Sequence, residues 1–184
     1  MLSPEARLVF RTAAADVKAD EWRQLVEGVR DWERVFRLAD RQVAAMALWR
    51  VLKEIPGVTT AVPQDFAEAL RCVALVEDLR MQQLARRAQL TVEALNAAKV
   101  PVMLLKGAAI GALSDPSFRS RPMTDVDVLV TADNVEQAAS AITSAGWSLT
   151  ENPVLLELLK DAHHLPHFVD PSQPGVRLEL HVSL

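Results

Sequence analysis

The segment "DVDVLVT" (125–131) sets two carboxylates, Asp125 and Asp127, at alternate positions of an otherwise apolar run. In an extended chain, residues i and i+2 lie on the same face, with roots about 6–7 Å apart. Two like charges on one face of a strand repel, and strand interiors disfavour Asp, so the pattern asks for a compensating cation. Mg²⁺, a hard ion that takes carboxylate and phosphate oxygens, matches such a converging pair. Asp-x-Asp triplets are common, however, and the pair alone is weak evidence for a metal. A third carboxylate, Glu179, interrupts the apolar run "VRLELHVSL" (176–184). Its neighbours Leu178 and Leu180 face the opposite side, so a strand laid beside residues 125–130 would gather Asp125, Asp127 and Glu179 into one cluster. His181 shares the face of Glu179 and is placed to orient it or to meet a phosphate.

Upstream, Lys106-Gly107 closes the apolar run "VPVMLLK" (100–106) and opens "GAAIGALSD" (107–115). A helix starting here presents unpaired N–H groups and the positive end of its dipole, and glycine lets a phosphate approach the backbone. Lys106 adds a full positive charge. In the loop "PSFRSRPMT" (116–124), Arg121 lies four residues before Asp125 and is a second cation for a polyphosphate, with Arg119 the less well placed. The stretch "KGAAIG" lacks the Gly-Lys-Ser/Thr ending of a P-loop. Carboxylates for a metal beside donors for phosphates describe a nucleotide site. The simpler alternative is a strand-end lysine in solvent.

The elements around these groups follow from periodicity. Residues 1–98 carry helical signals throughout. "DWERVFRLADRQVAAMALWRVLKEI" (31–55) repeats Val35, Leu38, Val43, Met46, Ala47 and Leu52 at helical spacing and stops at Ile55-Pro56-Gly57. From Pro63 the chain runs to Val100 without Gly or Pro, as one long helix or two stacked ones. Trp22, Trp32 and Trp49 read as core or packing anchors, and the Arg-rich segment from Arg80 to Arg87 as a solvated face. At Val100 the grammar changes to strand, helix, strand, and then a helix over "ADNVEQAASAITSAG" closed by Gly146. A short strand "WSLT" follows, and "HHLPHFVD" and "GVRLELHVSL" flank Pro-Ser-Gln-Pro as a hairpin. The continuous apolar character of "VPVMLLK" predicts a strand covered on both faces. The expected fold is α+β: a helical module, residues 1–98, followed by a small mixed-sheet α/β domain, residues 99–184.

Of the 20 basic and 24 acidic residues, 14 of each fall in residues 1–98, so residues 99–184, with 6 basic and 10 acidic, hold the whole net charge of −4. Nucleic acid, which calls for a basic face, is disfavoured as a partner. A small substrate carrying its own metal suits the acidic balance better. The single cysteine, Cys72 in "LRCVALV", excludes a disulfide framework and reads as a packed thiol. No apolar run reaches the about 18 residues of a membrane span, and the charged N-terminus lacks the apolar centre of a secretory signal. The expected location is cytoplasmic, with no membrane partner.

The ordered motifs "LLKGAAI", "SRPMTDVDVLV" and "VRLELHVSL" resemble the nucleotidyltransferase superfamily with the polymerase-beta-like fold, most closely its uncharacterised branch. The likeness is most specific over residues 100–130, is supported more weakly by residues 133–184, and includes the helical lead-in "LADRQVAAMALWRVL". In that superfamily a Gly-Ser step precedes an Asp-x-Asp strand, and a later strand supplies a third carboxylate. The resemblance implies that Asp125, Asp127 and Glu179 are catalytic and hold Mg²⁺ (or Mn²⁺), with Glu179 completing the metal site or deprotonating the acceptor. It also implies that Lys106 and the Gly107 amide neutralise NTP phosphates, with Arg121 and His181 as further nucleotide contacts. The implied reaction is attack of an acceptor hydroxyl on the α-phosphate of an NTP with loss of pyrophosphate. The acceptor is a small molecule, a peptide or a protein; no residue pattern sets its identity, the nucleobase or an oligomeric state. Two departures from the family pattern stand out. Ala108 replaces the serine of the Gly-Ser step, and Leu184 follows Glu179 by only five residues where members of this branch usually continue. The second departure gives the expectation of a copy shortened at its C-terminus. Two other classes compete: a catalytically inactive nucleotide-binding or regulatory module of the same fold, and a metallohydrolase holding zinc through His163, His164, His167 and His181. Pro166 interrupts the strand on which His163 and His167 would share a face.

Overall fold

The computed structural model describes residues 2–13, 18–113, 122–150, 166–173 and 175–182. Two compact units divide the chain, the first reaching Leu79 and the second starting at Arg80. The first unit holds helices α1 (Pro4–Arg11), α2 (Ala19–Glu27), α3 (Trp32–Arg41), α4 (Ala45–Glu54) and the beginning of α5 (Gln64–Ala97). Helix α1 starts where Ser3 accepts the Ala6 N–H, with Pro4 in its first turn and Glu5 and Arg11 at opposite ends of the dipole. Asp31 caps α3 by accepting the Arg34 N–H at 2.8 Å.

The stretch 31–55, read above as one periodic helical segment, is two helices. A turn at Val43, a residue with φ 52° that is 56% exposed, separates α3 from α4. The apolar period survives the break because both helices face one core, through Val35 and Ala39 on one side of the turn and Ala45, Leu48 and Leu52 on the other. Trp22 is buried in that core, and Trp32 and Trp49 pack against it, as anchors should. Cys72 departs from its reading as a packed thiol: it is exposed, as are Leu75, Val76 and Leu79. An apolar segment of α5 therefore carries hydrophobic groups on more than its buried side.

In the second unit the remainder of α5 is followed by β1 (Met103–Leu104), α6 (Lys106–Leu113), β2 (Asp125–Leu129), α7 (Val135–Ser144), β3 (Ser148–Leu149), β4 (Phe168–Val169) and β5 (Arg177–His181). Helix α5 runs unbroken to Ala97 and ends in a left-handed cap at Lys99, where the Val100 N–H donates to Leu95 O and the Lys99 N–H to Asn96 O, each at 2.9 Å. Helix α7 ends the same way at Gly146, whose φ of 88° suits a residue without a Cβ. There the Trp147 N–H reaches Ile142 O at 3.3 Å, bringing two buried side chains together.

The five strands form one mixed sheet in the order β1-β2-β5-β4-β3, with β2 and β5 parallel and every other pair antiparallel. The fold is thus α+β, a helical N-terminal region followed by a small sheet domain. Val126, Val128, Leu178 and Leu180 line one face of the two central strands and share a core with Leu84 and Leu95 of α5 and Val135, Ala138 and Ile142 of α7. Strand β1 corrects one expectation. It is two residues long, lies at the sheet edge, and leaves Met103 58% exposed, so "VPVMLLK" is not covered on both faces.

The Arg-rich segment corrects another. The side chain of Arg87 is only 14% exposed, with Nε 2.8 Å from Asp170 Oδ2. Its Nη1 donates to Ala145 O at 3.1 Å, and its guanidinium lies 4.6 Å from the centroid of the Trp147 ring. Trp147 Nε1 in turn donates to Thr91 Oγ1 at 2.8 Å. No helix among the described residues is long and apolar enough to cross a membrane.

Candidate active site

The parallel pairing of β2 with β5 builds the site. Its register sets Asp125 beside Arg177, Asp127 beside Glu179 and Leu129 beside His181. Because the intervening valines and leucines are committed to the core, all six of these residues share the opposite face. A third element enters where β1 turns into α6. The Leu105 N–H donates to the backbone oxygen of Asp127 at 3.0 Å, and Lys106 opens α6 with φ 48°. A left-handed backbone is costly for a residue with a Cβ. Here it accompanies an ammonium drawn onto the site, Nζ lying 2.6 Å from Asp127 Oδ1 and 3.9 Å from Glu179 Oε2.

His181 approaches the same oxygen, with Nε2 2.8 Å from Asp127 Oδ1 and 3.7 Å from Glu179 Oε2. Exposure is graded across the site. The side chain of Asp127 is 2% exposed and that of His181 5%, whereas Glu179 is 35% and Lys106 58% exposed. A closed floor therefore carries an open acidic and basic rim. The hydrogen bond that Lys106 donates to Asp127, reinforced by the charges of Asp127, Glu179 and Asp125, holds the Lys106 ammonium above the ordinary lysine pKa despite partial desolvation.

Ligand atoms of Asp127, Glu179 and His181 all lie within 4.8 Å of one another. Two carboxylates converging beside a nearly buried oxygen fit a hard divalent cation, which must compete with Lys106 for Asp127 Oδ1. The imidazole, already on that oxygen, is better suited to orienting the carboxylate than to serving Mg²⁺ as a ligand. Asp125 is on the same face, one pair of residues along, and accepts from Thr124 Oγ1 at 3.3 Å; it is outside the group of three.

Gly107 stands in the first turn of α6, where backbone N–H groups have no acceptor within the helix. Packing bears on the glycine as well: a Cβ there would lie 2.5 Å from Met123 Sδ and 2.9 Å from its Cγ, so the Met123 side chain would have to move. Arg121 and Arg119 lie outside the described residues, as do His163 and His164. His167 is described and offers its backbone oxygen to Thr150, but is not in the metal-competent group, which has one histidine. One residue on the site face escaped the sequence reading. Arg177 was visible as a cation two positions before Glu179, but only the register puts it next to Asp125.

The comparison with curated proteins and that with solved structures each returned no match. Residues 28–184, which include every element of the site, match a family model described as an uncharacterised nucleotidyltransferase, and the chain belongs to that family.

Proposed function

We propose that the chain is a nucleotidyltransferase dependent on Mg²⁺ (or Mn²⁺) that moves an NMP from an NTP to an acceptor hydroxyl and releases pyrophosphate. The observation that carries this reading is the in-register pair Asp127 and Glu179 with the Lys106 ammonium drawn onto it at the N-terminus of α6. Asp127 and Glu179, with Asp125 beside them, would hold the metal, which when bound supplies positive charge against the oxygens of the reacting phosphate.

The residues of the chain divide the remaining work. The first turn of α6 receives phosphate oxygens at the Gly107 and Ala108 amides. Lys106, on a half-exposed flexible stem, turns from Asp127 to the triphosphate and carries its charge there. His181 keeps Asp127 oriented from the buried side. Glu179, more open than Asp127, accepts the proton of the acceptor hydroxyl as the new oxygen–phosphorus bond forms. The bond to the β-phosphate breaks, and pyrophosphate leaves with its electron pair. Small molecules, peptides and proteins are the acceptor classes; the acidic balance disfavours nucleic acid.

Release of pyrophosphate from each of the four NTPs tests the proposal, measured with glycerol as a hydroxyl acceptor, with and without Mg²⁺. Metal-dependent release from at least one NTP, reduced at least a hundredfold in Glu179→Gln, is expected. Nucleotide binding with no release under any condition would instead favour a non-catalytic nucleotide-binding module of the same fold.

A further inference from the structure

Arg177 has no part in the reaction as described, yet it sits within it. Three cations occur among the described residues from position 99 onward: Lys99, Lys106 and Arg177. Lys99 belongs to the left-handed cap of α5, and Lys106 is held on Asp127. Arg177 is exposed and its side chain, among the described residues, has neither a hydrogen bond nor an ion pair, although the register sets it directly beside Asp125. An arginine kept unpaired next to a carboxylate, on the face where Glu179 and His181 stand, leaves its planar fork available to a ligand.

Its position across the sheet says which ligand. Lys106 and the first turn of α6 follow β1 and lie on the β1 side of β2, whereas Arg177 is on β5, the neighbour of β2 on the other side. Resting on the reaction proposed above, the triphosphate occupies the α6 side and the acceptor hydroxyl meets Glu179 from β5. Arg177 is two residues from Glu179 along the same face, roughly 6–7 Å at the backbone, a separation that a few covalent bonds within one small acceptor can span. We infer that Arg177 binds an anionic group of the acceptor, a carboxylate or a phosphate, and so selects acceptors that carry one near the reacting hydroxyl.

Glycerol, glycerate and glycerol 3-phosphate are suitable probes, because they share hydroxyls and differ in bearing no anion, a carboxylate or a phosphate. Each is titrated calorimetrically into the full chain, with and without saturating Mg²⁺ and an α,β-methylene NTP analogue, for the parent, Arg177→Gln and Arg177→Lys. At least one anionic probe should bind the parent tenfold or more tightly than glycerol, and the better of the two identifies the group. Arg177→Gln should abolish that preference, Arg177→Lys should keep most of it, and the affinity for the nucleotide analogue should stay within threefold in both. The inference is overturned by a parent without anion preference, by a preference that survives Arg177→Gln, or by a tenfold loss of nucleotide affinity in Arg177→Gln, which would put Arg177 on the triphosphate. Should the parent bind no nucleotide, the transfer reading fails separately, and the titrations without nucleotide still decide whether Arg177 holds an anion.

Discussion

Replacing Lys106 by Met separates two roles of the lysine that move in opposite directions. Its ammonium is 2.6 Å from Asp127 Oδ1, with the lysine side chain 58% and the aspartate 2% exposed. A hydrogen bond to a charged group contributes about 1.5–3 kcal/mol when shielded, and an exposed ion pair about 0.2–1 kcal/mol. Solvent around the lysine places this contact near the upper end of the exposed range, ~1 kcal/mol. Lys106→Met should therefore lower the melting temperature by about 2–4 °C in a chain of this size. Any divalent cation binding at Asp127 must displace the ammonium, so losing it should strengthen Mn²⁺ binding without nucleotide by the same ~1 kcal/mol, about fivefold. Affinity for the Mg²⁺ complex of the preferred NTP should fall, by tenfold or more, because the phosphates lose their cation. Calorimetric titration of Mn²⁺ alone and of the Mg²⁺–NTP complex, on parent and variant, reads both. Two affinities that shift in the same direction, or Mn²⁺ binding that is unchanged, would refute the picture of a lysine shared between Asp127 and phosphate.

Three further outcomes are expected. Gly107→Ala should push Met123 aside, given the 2.5 Å approach to its Sδ, and cost about 1–3 kcal/mol by overpacking; the double variant with Met123→Ala should recover most of that loss in urea denaturation. Arg87→Gln leaves Asp170, 3% exposed, without its ion-pair partner, and should cost about 3–5 kcal/mol, detectable by the fluorescence of the adjoining Trp147. Glu5, buried in the first turn of α1, has its pKa lowered from 4.5 to about 2 by hydrogen bonds from its own backbone N–H, from Ser3 and from the Arg30 N–H. Its stabilising contribution is complete above pH 4.5 and is lost as the pH falls toward 2. Melting temperatures of the parent and of Glu5→Gln should accordingly differ at neutral pH and converge across that window.

The parity of strands made much of the site readable in advance. Alternation assigned Val126, Val128, Leu178 and Leu180 to one face and the carboxylates to the other, and the sheet follows that assignment. Register is a different quantity, because it is fixed by pairing between residues far apart in the chain rather than by local pattern, as the contact between Asp127 and His181, 54 positions apart, shows. Hence Asp125, expected as one of three clustered carboxylates, lies one pair along from Asp127 and Glu179, beside Arg177, whose place next to it was hidden for the same reason. Periodicity also misled where it served two elements, as in α3 and α4, or where one helix exposes hydrophobic groups, as around Cys72 in α5. The burial of Arg87 depends on Asp170 and Trp147, both distant in sequence, and no local signal separates it from the exposed Arg86. Gly107 was read for phosphate approach, whereas its contact with Met123 became visible only in three dimensions.

A thermal-shift panel of the four NTPs, with and without Mg²⁺, tests the nucleotide site most directly when run on the parent, Glu179→Gln and Asp127→Asn, with circular dichroism confirming that the variants fold. A ligand at a hundred times its dissociation constant adds about 2.7 kcal/mol, or about 5–10 °C for a chain of this size. The expected result is a shift of that order with at least one NTP, present only with Mg²⁺ and lost in Asp127→Asn. No shift with any NTP, or a shift that is indifferent to both Mg²⁺ and Asp127, would contradict the assignment of this carboxylate and lysine cluster as a nucleotide-transfer site.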